Sequence, residues 1–166
     1  MSFLLSVPIL IFLLVLQTTI VSEVRLLHGS ADLILVWLAA YGLTSKDRSG
    51  YLLAFFAGGL VSYVSALPWY VFPIGYLVTV AIARFVSSQL WQSPLLSMFA
   101  ITLVTSIFLY MVSMAGLRIN GTFYSFSTSL YHVIIPSIFL NLLLAIPIYA
   151  LGRDFSSWIF KNEEVT

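Results

Sequence analysis

Residues 54–76 read AFFAGGLVSYVSALPWYVFPIGY, an apolar run with two adjacent glycines in its first half and two prolines in its second. A single membrane helix wants neither glycine pairs nor central prolines. The run resolves as two helices meeting at a stiff turn. Pro68 and Pro73 bracket Trp69, Tyr70 and Phe72, a proline-stiffened aromatic turn suited to a membrane interface, where aromatic side chains gather. Upstream, Ala54, Gly58 and Ser62 recur every fourth residue, with Gly59 beside them. Such a row lets a neighbouring backbone approach closely where lipid gives helices no hydrophobic reason to associate. The stretch is therefore an apolar helical hairpin without a polar loop.

The rest of the chain has the same character. Of 166 residues, 61% are hydrophobic and 8% charged, and the mean hydropathy is +1.07. One soluble core cannot hide that composition. The apolar runs are continuous and do not alternate, so the fold class is all-α, a polytopic membrane protein and not a barrel. Segments at about 3–21, 26–43, 51–67, 69–86, 94–117 and 133–151 are expected to cross the membrane as six helices in a single integral-membrane domain. The first lacks a basic leader and a small-residue cleavage pattern, so it is expected to stay in the membrane.

The second segment is the least regular. Its apolar core, Leu33 to Leu43, is short and reaches spanning length only by including His28, Gly29 and Ser30. It is either a pinched span of roughly 27 Å or a re-entrant piece. With six spans and a cytoplasmic start, Lys46, Arg48, Arg84, Arg153 and Lys161 fall inside, against Arg25 and Arg118 outside, and both termini are cytoplasmic. A flipped five-span arrangement leaves only Arg118 outside, so charge does not separate the two. Residues 123–131 place Phe123, Tyr124, Phe126, Leu130 and Tyr131 on one side at helical spacing, as in a short interfacial helix. In the tail, 152–166, Phe155, Trp158 and Ile159 line up beside Arg153 and Lys161, which suits the cytoplasmic surface.

Candidate functional residues are sparse. No Ser-His-acid set has hydrolase spacing, no glycine-rich loop opens a helix as a phosphate site needs, and cysteine is absent. His28 and His132 both fall near the outer interface, without a carboxylate at ligand spacing to either. Asp32 reads as an exposed carboxylate capping the second helix, or as a partner or ligand contact on the outer face with Trp69, Tyr70 and Phe72. Arg84 reads as a snorkelling interface residue. Glu23 and Arg25 read as anchors at the end of the first helix. Gln17, Asn141 and the small row of the third helix are candidates for helix packing or partner contact. Pro136 and Pro147 flank Asn141 and are expected to leave backbone carbonyls free, which packing or a ligand must satisfy.

The ordered set of these features resembles the MreD family of bacterial rod-shape-determining membrane proteins. The residues that carry it are Gln17, Gly29, Asp32, Gly50, Gly58, Gly59, Leu60, Pro136, Asn141, Pro147 and Tyr149. Members often have an aspartate just after the glycine-leucine of the third helix, where this chain has Ser62 and Tyr63, and a proline where it has Ala31. The resemblance implies a non-catalytic scaffold of the bacterial inner membrane, part of the machinery that builds lateral peptidoglycan. Its expected partners are MreC and, through it, RodA, a class B penicillin-binding protein and MreB, with membrane lipids around it. Neither cofactor, metal nor nucleic acid belongs to that reading. The implied fold is similar to the substrate-binding subunits of energy-coupling-factor vitamin transporters, and a subunit of that kind is the alternative function. Against the alternative, segment 3–21 has no alanine row for docking to a coupling protein.

Overall fold

The computed structural model describes residues 2–21, 28–45, 49–88, 93–122 and 125–163. Among them the chain is helical and has no strand. Helix α1, Ser2–Leu16, continues into a π-helical turn, Gln17–Val21; α2 is Leu33–Thr44, α3 Ser49–Val64, α4 Val71–Ser88 and α5 Pro94–Ile119. A single turn, α6 (Phe126–Ser129), runs through a second π segment, Leu130–Ile134, into α7, Ile135–Glu163. Glu23, Arg25, Lys46, Arg48, Phe123 and Tyr124 lie outside the described residues, as do the side chains of Phe155, Trp158, Ile159 and Lys161.

Among the described residues, three helices are long and apolar enough to cross a membrane: Val71–Ser88, Pro94–Ile119 and the continuous Phe126–Asp154. The remaining apolar helices, Ser6–Thr19, Leu33–Thr44 and Ser49–Val64, are shorter. Phe12, Leu52, Phe85, Met111, Leu143 and Leu151 all point outward, each more than half exposed. An exterior of that kind is at home in lipid and not in water. This is a membrane protein.

Side-chain contacts fix the helix directions. The end of α1 meets the start of α2 through Gln17 and Ile34. Asp32, just before α2, meets Tyr76 in the first half of α4 and Asn141 in the first half of α7. Gly42 near the end of α2 lies against Ala83 of α4, and Gly152 of α7 against Ala40. Thus α2, α4 and α7 run one way. Gly58, late in α3, faces Pro73, early in α4, and Gly116, late in α5, faces Tyr70 and Val71. So α1, α3 and α5 run the other.

The least regular segment of the sequence forms the middle of the bundle. Every residue from Leu33 to Gly42 is buried, as expected for a helix apolar all round. Its helix is shorter than the 26–43 expected from hydropathy, because Asp32 caps it: Oδ1 accepts the Leu35 amide at 3.0 Å. The preceding residues 28–32 are not helical. Twelve residues of α-helix cover only about 18 Å, less than the roughly 30 Å of a hydrocarbon core.

Other boundaries move for equally local reasons. Helix α3 stops at Val64 and not Leu67, since the residue before Pro68 is pushed out of the helical region. The turn closes with Ser62 Oγ donating to the Trp69 carbonyl at 2.7 Å and the Val71 amide to Pro68 at 3.0 Å. Pro73 sits in the first turn of α4, where its missing amide costs little. The expected separate helix at 123–131 is not separate, because residues from Phe126 onward join α7 through the π segment. The tail is likewise continuous with α7 as far as Glu163.

The glycine pair divides its work. A Cβ on Gly58 would lie 2.5 Å from Pro73 Cα and 2.6 Å from Pro73 N, so α3 and α4 touch backbone to backbone there. A Cβ on Gly59 would meet nothing within 4 Å. Only Gly58 is needed for the hairpin.

A buried polar cluster as the candidate functional site

Most hydroxyls in these helices turn back onto their own backbone. Thr44 donates to Ala40 O at 2.9 Å, Thr79 to Gly75 O at 2.8 Å, Thr105 to Ile101 O at 2.7 Å and Ser113 to Leu109 O at 2.8 Å. That arrangement satisfies a hydroxyl in an apolar medium without any partner helix. A second set of polar groups bonds between helices, and it converges on one place.

Asp32 is its centre, 7% exposed. Besides the Leu35 amide, its carboxyl accepts the Tyr76 hydroxyl at 3.0 Å on Oδ1 and 2.9 Å on Oδ2. The Asp32 amide donates to Asn141 Oδ1 at 2.7 Å, and Asn141 Nδ2 donates to Ser106 Oγ at 2.9 Å. Gln17 Oε1 accepts the Ile34 amide at 3.3 Å. The cluster therefore joins α1, α2, α4, α5 and α7. Asn141 and Tyr76 are both fully enclosed.

The non-helical segment before α2 is docked along α7 by the same logic. Pro136 has no N–H, so the His132 carbonyl loses the amide that an unbroken α-helix would supply. The His28 amide takes that acceptor at 3.1 Å. One turn on, Ser137 Oγ accepts the Ser30 amide at 3.0 Å. Between them Gly29 passes so close that a Cβ would lie 2.8 Å from Pro136 Cβ and from Ser137 N and Oγ. Irregular backbone at membrane depth is tolerated only where protein satisfies it, and α7 does so here.

Of the residues singled out from sequence, Gln17, Asp32, Pro136 and Asn141 meet in the cluster. Ala54 and Gly58 are buried at the α3 interface, and Ser62 closes the hairpin turn. Gly59 faces open space and Pro147 is exposed on α7, which stays helical through it. Trp69 is 76% exposed, with Tyr70 stacked edge to face at 6.0 Å. Phe72 leans on the Tyr76 ring at 5.7 Å. One expectation is corrected: Asp32 does cap α2, but it is buried and committed to Tyr76 and Leu35, so it is not an exposed outer-face contact. The cause is the cover that α4 and α7 provide.

Sequence reasoning missed Tyr76, Ser106 and Ser137. Tyr76 had a legible signal, since a phenol inside an apolar span must find a polar partner. Beside the cluster, a cleft of about 450 Å³ is lined by Gln17, Thr18, Ser30, Val61, Ser65 and Phe72, among others. His28 and His132 stand edge to face with ring centroids 6.1 Å apart. Among the described residues, no group of three or more His, Cys, Asp or Glu side chains is placed to hold a metal ion.

What the arrangement does chemically is hold. Two of its hydrogen bonds join segments more than a hundred residues apart in sequence, from Ser30 to Ser137 and from Asp32 to Asn141. Comparison with protein-family models, curated proteins and solved structures gives no match to this chain.

Proposed function

We propose that this chain is a scaffold of the MreD type, a non-catalytic membrane subunit of the complex that builds lateral peptidoglycan in rod-shaped bacteria. The observation that carries the reading is convergence. Gln17, Gly29, Asp32, Pro136 and Asn141, which carry the resemblance at scattered places in the sequence, meet at the single cluster that fixes five helices. A set of residues that meets in this way acts as one structural unit. The alternating directions of α1 to α5 and of α7 are compatible with six crossings and both termini on one side, which this reading takes as the cytoplasm. On this reading the rigid bundle clasps the MreC span and holds it against RodA, the class B penicillin-binding protein and MreB. It biases the synthase only through contacts that differ between its states.

The test is a brief crosslink in native membranes, mild-detergent capture of the tagged chain, and mass spectrometry of the proteins captured with it. Recovery of a single-span MreC-like protein, with or without the synthase pair, supports the scaffold. The cleft beside Gln17 favours a second reading, a vitamin-type transporter subunit, because its mixed polar and apolar lining suits a small organic ligand. Capture of a coupling protein with ATPases, or of a bound vitamin without cell-wall components, would decide for that reading.

A further inference from the structure

A second concavity lies away from the cluster, between α5 and the α6–α7 helix. It measures about 520 Å³ and is lined by Ile107, Met111, Met114 and Ala115 on one wall and by Leu130 and Ile138 on the other. Among the described residues, its one charged lining residue is Arg118, near the end of α5. From Ile107 to Arg118 the wall runs roughly 16 Å along the helix. The π segment Leu130–Ile134 forms part of the opposite wall, and such bulges recur where a helix is shaped for a function. Methionine suits a wall that must adapt to a flexible apolar guest.

We propose that this groove holds one acyl chain of an anionic phospholipid, with the lipid phosphate on the Arg118 guanidinium. The argument is complementarity of both parts. The groove is apolar along its length and cationic at one end, as a phospholipid is apolar along its chain and anionic at its head. Arg118 is exposed, and among the described residues the ion pair is Arg153 with Asp154, so no described carboxylate occupies Arg118. A single guanidinium matches a single phosphate group, which it can contact through two parallel N–H donors. The site stands whether or not the chain serves the rod complex, since it requires only that the bundle sits in a membrane.

Native mass spectrometry of the full chain, purified in mild detergent and titrated with phosphatidylglycerol or phosphatidylcholine, tests it. The wild type should retain phosphatidylglycerol better than phosphatidylcholine by roughly fivefold, the scale of one cation at an anionic surface. Arg118→Gln, an exposed change that leaves the fold alone, should abolish the preference, and Arg118→Lys should restore part of it. Ala115→Phe, which fills the groove, should reduce retention of both lipids. Equal retention of the two lipids by the wild type, or an undiminished preference in Arg118→Gln, would overturn the proposal. So would crosslinking that finds a partner helix in the groove in native membranes.

Discussion

The Tyr76 hydroxyl reaches both carboxyl oxygens of Asp32, at 3.0 and 2.9 Å, across the interface between α2 and α4. Neither group has another side of the molecule to turn to, since both are buried. Tyr76→Phe should therefore lower stability by about 1–2 kcal/mol, at the upper end of interhelical hydrogen bonds in membranes. Asp32→Ala should cost more, because it also removes the cap of α2, itself worth about 1 kcal/mol. The double variant should be less destabilised than the sum, with a coupling of about 0.5–2 kcal/mol in a cycle of detergent unfolding curves. Strict additivity would mean that the pair does not act together.

The two adjacent glycines should behave oppositely. Gly58→Ala forces a methyl into the Pro73 backbone, which cannot swing aside, and should cost about 1–3 kcal/mol. Gly59→Ala enters open space and should be neutral or stabilising by about 0.5–1 kcal/mol. Thermal unfolding of both in one detergent checks this. Gly59→Leu, if it rounds cells while leaving the melting curve intact, would place the outer side of α3 in a partner contact.

Pro136→Ala returns an amide to α7 that can compete for the His132 carbonyl. The His28 amide should then exchange with solvent deuterium faster than in the wild type, by tenfold or more if about 1.4 kcal/mol of docking is lost. Unchanged protection at His28 would show that the docking does not depend on the proline.

The last helix offers a contrast between two positions six residues apart. Asn141→Ala strands the Asp32 amide in a dry interior and should cost about 1–3 kcal/mol. Pro147→Ala lies on an exposed face and restores a helical amide, so it should be neutral or stabilising. Thermal unfolding in one detergent separates the two. A stable Asn141→Ala beside a destabilised Pro147→Ala would reverse the roles assigned here.

Hydropathy made the class of fold legible, and the proline-aromatic stretch made the hairpin legible, because both depend on neighbours in sequence. Small and polar residues at Gln17, Gly58 and Asn141 were legible as packing sites, because lipid leaves such residues few other uses. The partners of Asp32 were not. Its burial depends on α4 and α7 arriving from elsewhere, and the local pattern of Ser30, Ala31 and Asp32 reads the same whether that cover exists or not. The length of α2 was misread for a related reason: residues 28–32 were counted as helix only to bring a short apolar core to spanning length, yet the amides of His28, Ser30 and Asp32 are taken by the last helix and the π segment before it. The π segment before Ile135 left no mark in periodicity, so residues 126–134 looked like a free ledge instead of the first turns of the last helix.

The docking of residues 28–32 onto α7 also orders events during synthesis. The early segment leaves the ribosome before Ser137 and Asn141 exist, so the acceptors its amides take in the finished fold arrive late. Helix α2 and its approach are therefore completed only when α7 arrives.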